Sequence, residues 1–269
     1  MFRLAIALVS VIGLAVPGAA GEAQQMTSNI RSELAPSGRL RVGINFGNAL
    51  LTRRDAGGTP GGIAVDLAQE LARRLGVPMD IVSYNAAGQM ADGAKAGAWD
   101  VAFLATDPDR ANEIAFAAGY LEIESTYLVP PGSPLRSIAD VDREGVRIAV
   151  SEKSAYDLYL TRELKRATLV RTPGVNGSVE LYFAQKLDAL AGLKPSLVEV
   201  TDRQPGSRVL DGRFTVVQQA VGTPKGREAG AQYLREFIED VKASGFVAKT
   251  IEKNGIRGVS VAPKAPAHR

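Results

Sequence analysis

Trp99-Asp100-Val101-Ala102-Phe103-Leu104-Ala105-Thr106-Asp107-Pro108-Asp109-Arg110 carries an apolar strand into a Pro-marked turn that ends on an arginine. A guanidinium is permanently charged and presents planar paired donors, so a carboxylate is its natural small-molecule partner. The edge between a strand and the following loop is also where a ligand reaches backbone N–H groups and a fixed side chain together. Two readings of Arg110 stand side by side: an ion pair with Asp107, Asp109 or Glu113 on the surface, or a grip on a ligand.

Outward from this run the chain alternates strand and helix. Arg39 to Ile44 alternates polar and apolar residues and reads as a strand. Arg53 to Gly62 is Gly-rich and charged, hence a loop. Leu67, Leu71 and Leu75 recur every four residues on one helix face, and Gly76 and Pro78 stop that helix. Met79 to Tyr84 reads as a strand, Ala86 to Ala96 as a short helix, and Asp100 to Ala105 as the next strand. Strand, helix, strand, helix, strand argues for a mainly parallel sheet flanked by helices. A second cycle follows Pro130-Pro131-Gly132, with strands at Val146 to Val150, Thr168 to Arg171 and near Ala191, and helices at Ala155 to Lys165 and Val179 to Gln185. A further strand spans Phe214 to Val221. Helices follow at Ala229 to Ser244 and near Val247 to Lys253. Thr27 to Ser37 reads as a loose polar lead-in, and the Pro/Ala-rich segment 259–269 as a flexible tail.

The chain opens on Met1-Phe2-Arg3, continues with an apolar stretch from Leu4 to Val16, and then turns small through Ala23. A positive start, a short apolar core and a small-residue zone mark a secretory signal peptide over residues 1–23. The stretch is short for a membrane span. The chain has no cysteine, so an exported domain must be stable through burial alone. The roughly 245 residues after cleavage suffice for one large or two medium lobes. Net charge is +3, with Lys and Arg scattered among Asp and Glu and no basic stripe interleaved with aromatics, so a nucleic-acid partner is not expected.

Much chemistry is missing. The only histidine is His268, near the end of the chain, so zinc sites and His-based nucleophilic machinery find no residues. There is no G-x-G-x-x-G, Walker loop or Ser-x-x-Lys, and no cofactor or metal is expected. Paired carboxylates remain open as acid and base. Glu122 and Glu124, two apart on a strand, share a face, but two solvated hinge-side carboxylates explain them better than a catalytic pair.

Read in order, these segments resemble the family 3 extracellular solute-binding proteins, the receptors of amino-acid-type ABC importers. Gly38 to Ile44 looks like the family's opening strand, and Gly61-Gly62-Ile63-Ala64-Val65-Asp66-Leu67-Ala68 is similar to its G-F-D-V-D-L-A helix start. Ala94 to Val101 looks like its L-x-x-G-x-x-D strand entry. Asp107-Pro108-Asp109-Arg110, with Ile114-Ala115-Phe116 and Tyr120, is similar to T-P-E-R … V-D-F-S-x-P-Y. Pro131 to Pro134 and Pro224 to Gly226 resemble its two post-hinge turns.

The resemblance implies an α/β, two-lobed periplasmic-binding-protein type II fold. Residues 24–127 plus 222–258 would form lobe 1, residues 128–221 with the hinge strands lobe 2, and the ligand would lie between them. It implies a monomeric periplasmic protein that delivers a small carboxylate-bearing solute to a membrane ABC permease. By the same resemblance, Arg110 holds the ligand carboxylate, and Ser154 with Ala155 receives an anion at a lobe 2 helix start. Ser154 also reads as a plain N-cap. Asn45, Phe46 and Asn48 follow the first strand, where the family reads its ligand's side chain; Phe46 could equally be core.

Three departures stand out. The stretch from Val101 to Arg110 looks two residues short, leaving Thr106 as the substitute hydroxyl. Asn48 sits where the family often has an aromatic platform. The acid that usually meets the ligand's α-ammonium should follow Ala191-Gly192, and here Leu193 stands there. Either another acid, Asp107 or Glu124, substitutes, or the ligand has no α-ammonium. A periplasmic enzyme on the same fold, similar to a cyclohexadienyl dehydratase with Asp107, Glu122 or Glu124 as general acid, is the alternative to transport. A sensing role, in which the loaded protein docks on another membrane partner, is a third.

Overall fold

The computed structural model describes residues 18–266, so residues 1–17 of the expected signal peptide lie outside the described residues. Residues 18–23 begin helix α1 (Gly18–Leu34). This helix corrects the reading of Thr27 to Ser37 as a loose lead-in. Leu34 is fully buried, and the Glu33 Oε2 accepts a hydrogen bond from the Gly230 N–H at 2.7 Å on a distant helix. Docking on that helix orders the segment, a tertiary effect with no strong local signal.

The chain then lays down β1 (Leu40–Asn45), the short hairpin β2 (Arg53–Arg54) and β3 (Pro60–Gly61), α2 (Ile63–Leu75), β4 (Met79–Tyr84), α3 (Ala87–Asp92) and β5 (Val101–Ala105). β1 is parallel to β4 on one side and β5 on the other. Helix α2 buries Ile63, Leu67, Leu71 and Leu75 on one face, and Gly76 closes it in the left-handed conformation at φ 64°.

The motif acids are structural. The fully buried Asp100 carboxylate accepts from Arg41 Nε at 3.0 Å and Nη2 at 2.8 Å, and from Arg227 Nη1 at 3.1 Å. It thereby ties β1 and β5 to the chain's last third, and loss of such a buried pair costs about 3–5 kcal/mol. Asp66 accepts from Lys253 Nζ at 2.9 Å and Asn254 Nδ2 at 2.8 Å. Trp99 is fully buried and donates Nε1 to the Met90 carbonyl at 2.8 Å. A Cβ on Gly43 would stand 3.2 Å from the Trp99 ring, so the strand beside it carries glycine.

β6 (Ile114–Val129) runs for 16 residues and spans the whole sheet. Beyond it lie β7 (Arg147–Ser151), α4 (Ala155–Glu163), β8 (Thr168–Thr172), α5 (Val175–Ala184), β9 (Ala189–Leu193), α6 (Lys194–Thr201) and β10 (Arg208–Val209). The chain returns on β11 (Thr215–Pro224), then α7 (Glu228–Ala243), α8 (Phe246–Lys253) and β12 (Val259–Val261). Strand order is β4-β1-β5-β11-β6-β9-β7-β8. β6 and β11 pair antiparallel from Ser125–Thr215 to Ile114–Pro224, with a break in register near Ala220. The near half of β6 therefore belongs with β5 and β11, and its far half with β9, whose parallel neighbour β7 carries β8. Two α/β lobes result, bridged by two long strands.

The expected flexible tail is corrected for residues 259–263, while residues 267–269 lie outside the described residues. β12 pairs with Leu121–Ile123 of β6, Ala262 is buried, and Lys242 Nζ donates to the Pro263 carbonyl at 2.8 Å. Val259 and Val261 supply the alternating apolar side chains that such an edge strand needs. Among the described residues no helix is long and apolar enough to cross a membrane.

Candidate functional site

The C-terminal ends of β1 and β5 and the middle of β11 face the start of α4 and the end of β9 across a cavity of about 50 Å³. Its walls are largely apolar, from Leu51, Met90, Phe103, Ala155, Leu193 and Val217, and polar groups come from Asn45, Asn48, Thr52, Tyr156, Gln219 and Arg110. Such a volume holds a few waters.

Arg110 is the only charged side chain on this lining, and it is 6% exposed. It opens a short 3-10 turn (Arg110–Asn112) directly after the Pro108 loop. Its Nη1 donates to the Ala105 carbonyl in lobe 1 and its Nη2 to the Lys153 carbonyl in lobe 2, each at 2.7 Å. Its Nε has no hydrogen-bond partner. Burial lowers the guanidinium from its ordinary value to about 10, with Asp107 and Asp92 opposing that shift from a distance. No carboxylate among the described residues forms an ion pair with it. The surface ion-pair reading of Arg110 is thus corrected: Asp107 and Asp109 both turn to Arg162, at 2.8 and 3.5 Å.

Lys153 shapes the other wall. Its φ of 53° is uncommon for a residue with a side chain, and it stands immediately before the cap of α4. Its N–H donates to Asp157 Oδ2 at 2.8 Å, and its Nζ reaches Asp92 at 2.8 Å in lobe 1. A Cβ on Gly88 of α3 would come within 2.6 Å of the Lys153 Cβ. The two lobes are therefore in contact, joined by Arg110 to Lys153, Lys153 to Asp92, and Arg162 to Asp107.

Of the residues singled out from the sequence, Asn45, Asn48, Arg110, Ala155 and Leu193 line the cavity. Phe46 does not: it packs on the core, and the Arg54 guanidinium lies 4.0 Å above its ring. Thr106 lies off the lining, with its backbone N–H donating to the Gln218 carbonyl at 2.9 Å. Asp107 lies in the interlobe ion pair and off the cavity lining. Ser154 is buried one residue from the lining, and its Oγ caps α4 by accepting the Asp157 N–H at 3.1 Å.

Tyr156, Gln219, Phe103 and Thr52 were missed. Tyr156 directly follows Ser154-Ala155, and its buried phenol is pushed up to about 12 by desolvation. Gln219 is a buried amide that follows Gln218 between the apolar pairs Val216-Val217 and Ala220-Val221, a pattern that could have flagged it.

A larger groove of about 760 Å³ opens on the hinge side, lined by Glu122, Glu124, Lys194, Arg213 and residues 254–260. Glu124 there accepts from Lys194 at 3.1 Å and Arg213 at 2.8 Å, and these contacts lower its carboxyl. Glu122 accepts from Gln218 Nε2 at 2.6 Å. The smaller cavity carries a buried charge, Arg110, with no carboxylate on the same lining. Among the described residues no cluster of three or more acids fit to hold a metal is present.

Residues 40–255 match the family model of bacterial extracellular solute-binding proteins, family 3, and the chain belongs to this family. Over 230 residues it is 24% identical to a cyclohexadienyl dehydratase of Pseudomonas aeruginosa, covering 80% of this chain and 82% of the relative. The solute receptor for L-cysteine of Neisseria gonorrhoeae superposes with a TM-score of 0.74 at 20% identity, covering 86% of this chain and 95% of the receptor. The cysteine-binding protein of Campylobacter jejuni gives 0.72 at 17% identity, covering 84% and 92%. An ancestral amino acid-binding protein, a precursor of cyclohexadienyl dehydratase, gives 0.70 at 21% identity, covering 82% and 97%. At these identities the superpositions establish a shared fold.

Proposed function

We propose that this family 3 chain is a periplasmic receptor, released by cleavage of its signal peptide, that hands a small carboxylate-bearing solute to an ABC permease. One observation carries the reading: Arg110, buried between the lobes and lining the interlobe cavity, has its charge unmatched by any carboxylate of the described residues. A buried unpaired cation is costly, and a ligand carboxylate relieves that cost. Residues 24–127 with 222–258 would move as one lobe and 128–221 as the other. The ligand would select the closed arrangement, as in hinge-bending receptors.

The cavity lining gives the dehydratase reading little support. Asp107, Glu122 and Glu124, the candidate general acids, all lie off the lining. Isothermal titration against a panel of amino acids and organic acids tests the receptor reading. Micromolar binding of at least one carboxylate is expected. Tight binding of a cation with no carboxylate binding refutes it.

A further inference from the structure

We infer that the solute is a small carboxylate without an α-ammonium group, such as a 2-oxo or 2-hydroxy acid. The inference rests on the carboxylate-receptor reading above and narrows it.

Charge decides first. The cavity lining carries one cation and no acid. An α-ammonium sits two bonds from its carboxylate, so it would enter the same cavity as the Arg110 guanidinium. There it would lose its water and find no anion.

The acids that could have served are committed elsewhere. Asp107 is held by Arg162 at 2.8 Å, with its side chain 3% exposed. Asp157, beside the α4 cap, accepts from Arg171 Nε at 2.9 Å and from the Lys153 N–H at 2.8 Å. Glu124 faces the hinge-side groove between Lys194 and Arg213. Recruiting any of them would strand a cation.

The remaining lining suits a neutral α-substituent. Leu193, 6% exposed, places a branched alkyl group at the end of β9. The side-chain amides of Asn48 and Gln219 line the cavity and make no hydrogen bond within the described residues. A neutral amide can donate to a keto oxygen or exchange hydrogen bonds with a hydroxyl.

The experiment is calorimetric titration of the exported chain with matched pairs that share a side chain: pyruvate, lactate and alanine; 4-methyl-2-oxopentanoate and leucine; phenylpyruvate and phenylalanine. The oxo or hydroxy member of at least one pair should bind ten-fold or more tightly than its amino acid. An amino acid that binds as tightly as its partner overturns this inference and leaves the carboxylate receptor standing. Failure of every member of every pair, with a plain aliphatic acid series also silent, sinks the carboxylate reading and this inference with it.

Discussion

Arg110 Nη2 donates to the Lys153 carbonyl at 2.7 Å, so the site's only lining charge also bridges the two lobes. Lys153 turns that carbonyl toward the arginine from a left-handed backbone, φ 53°, just ahead of the α4 cap. The proposed ligand grip and the observed lobe contact therefore share one side chain.

Arg110→Ala removes both. Carboxylate binding should weaken by about 2–5 kcal/mol, as when one partner of a buried charge pair is truncated. Thermal stability should change little or rise, because a desolvated, unpaired charge is removed with it. Calorimetry and thermal denaturation read the two effects separately. Unaltered affinity would remove Arg110 from the site.

Gly88→Ala should split stability from closure. Gly88 lies inside helix α3, where alanine is favoured by about 1 kcal/mol. Its new methyl would stand 2.6 Å from the Lys153 Cβ, a distance real side chains do not tolerate. The melting temperature should hold or rise while ligand affinity falls several-fold. Equal affinity would show that the lobes close without this contact.

Arg162→Ala breaks the ion pair from α4 to Asp107, whose carboxylate is almost wholly buried in the closed form. Separation of the lobes would let water reach Asp107, so the cost should fall on closure. An affinity loss of about 1–3 kcal/mol is expected, discounted from a fully buried pair because Arg162 is partly exposed. Small-angle scattering should show a larger radius of gyration in the variant. An unchanged profile would mean that other contacts hold the lobes.

Leu193→Asp puts a carboxylate on the cavity wall and a favourable capping residue at the start of α6. The preference for oxo acids over the matching amino acids should narrow at least ten-fold, read from paired titrations. An unmoved ratio would place the α-substituent away from this wall.

Carboxylate affinity should be flat through neutral pH and fall about ten-fold per unit above about 10, where the buried guanidinium loses its proton. The stability effect has the opposite sign. Arg110 is lowered to about 10 in the folded chain, so the unfolded chain binds its proton more tightly. Its destabilising contribution is full below about 10 and fades as pH rises from there toward the ordinary arginine value. Titrations from pH 7 to 11 test the affinity limb.

The local elements were legible because their causes are local. Leu67, Leu71 and Leu75 write a helical face within one segment, and Gly76 supplies its stop. The alternation of strand and helix on each side of Arg110 implied two α/β units, and the chain folds that way. Asn45 and Arg110 were legible because strand ends and Pro-marked turns show in sequence.

Tertiary structure alone decided the rest. Nothing near Thr27 announces that α1 docks on Gly230, nor anything near Val259 that β12 pairs with Leu121. Phe46 was drawn under Arg54, and Asp107 across the lobes to Arg162, 55 residues away in the chain. Gln219 and Tyr156 reach the cavity only because β6 and β11 carry the chain between the lobes. Helical and strand periodicity arise from neighbours a few residues apart, and the sequence records them directly. Which charge meets which, and which face closes on which, depends on long-range packing that no short window of sequence contains.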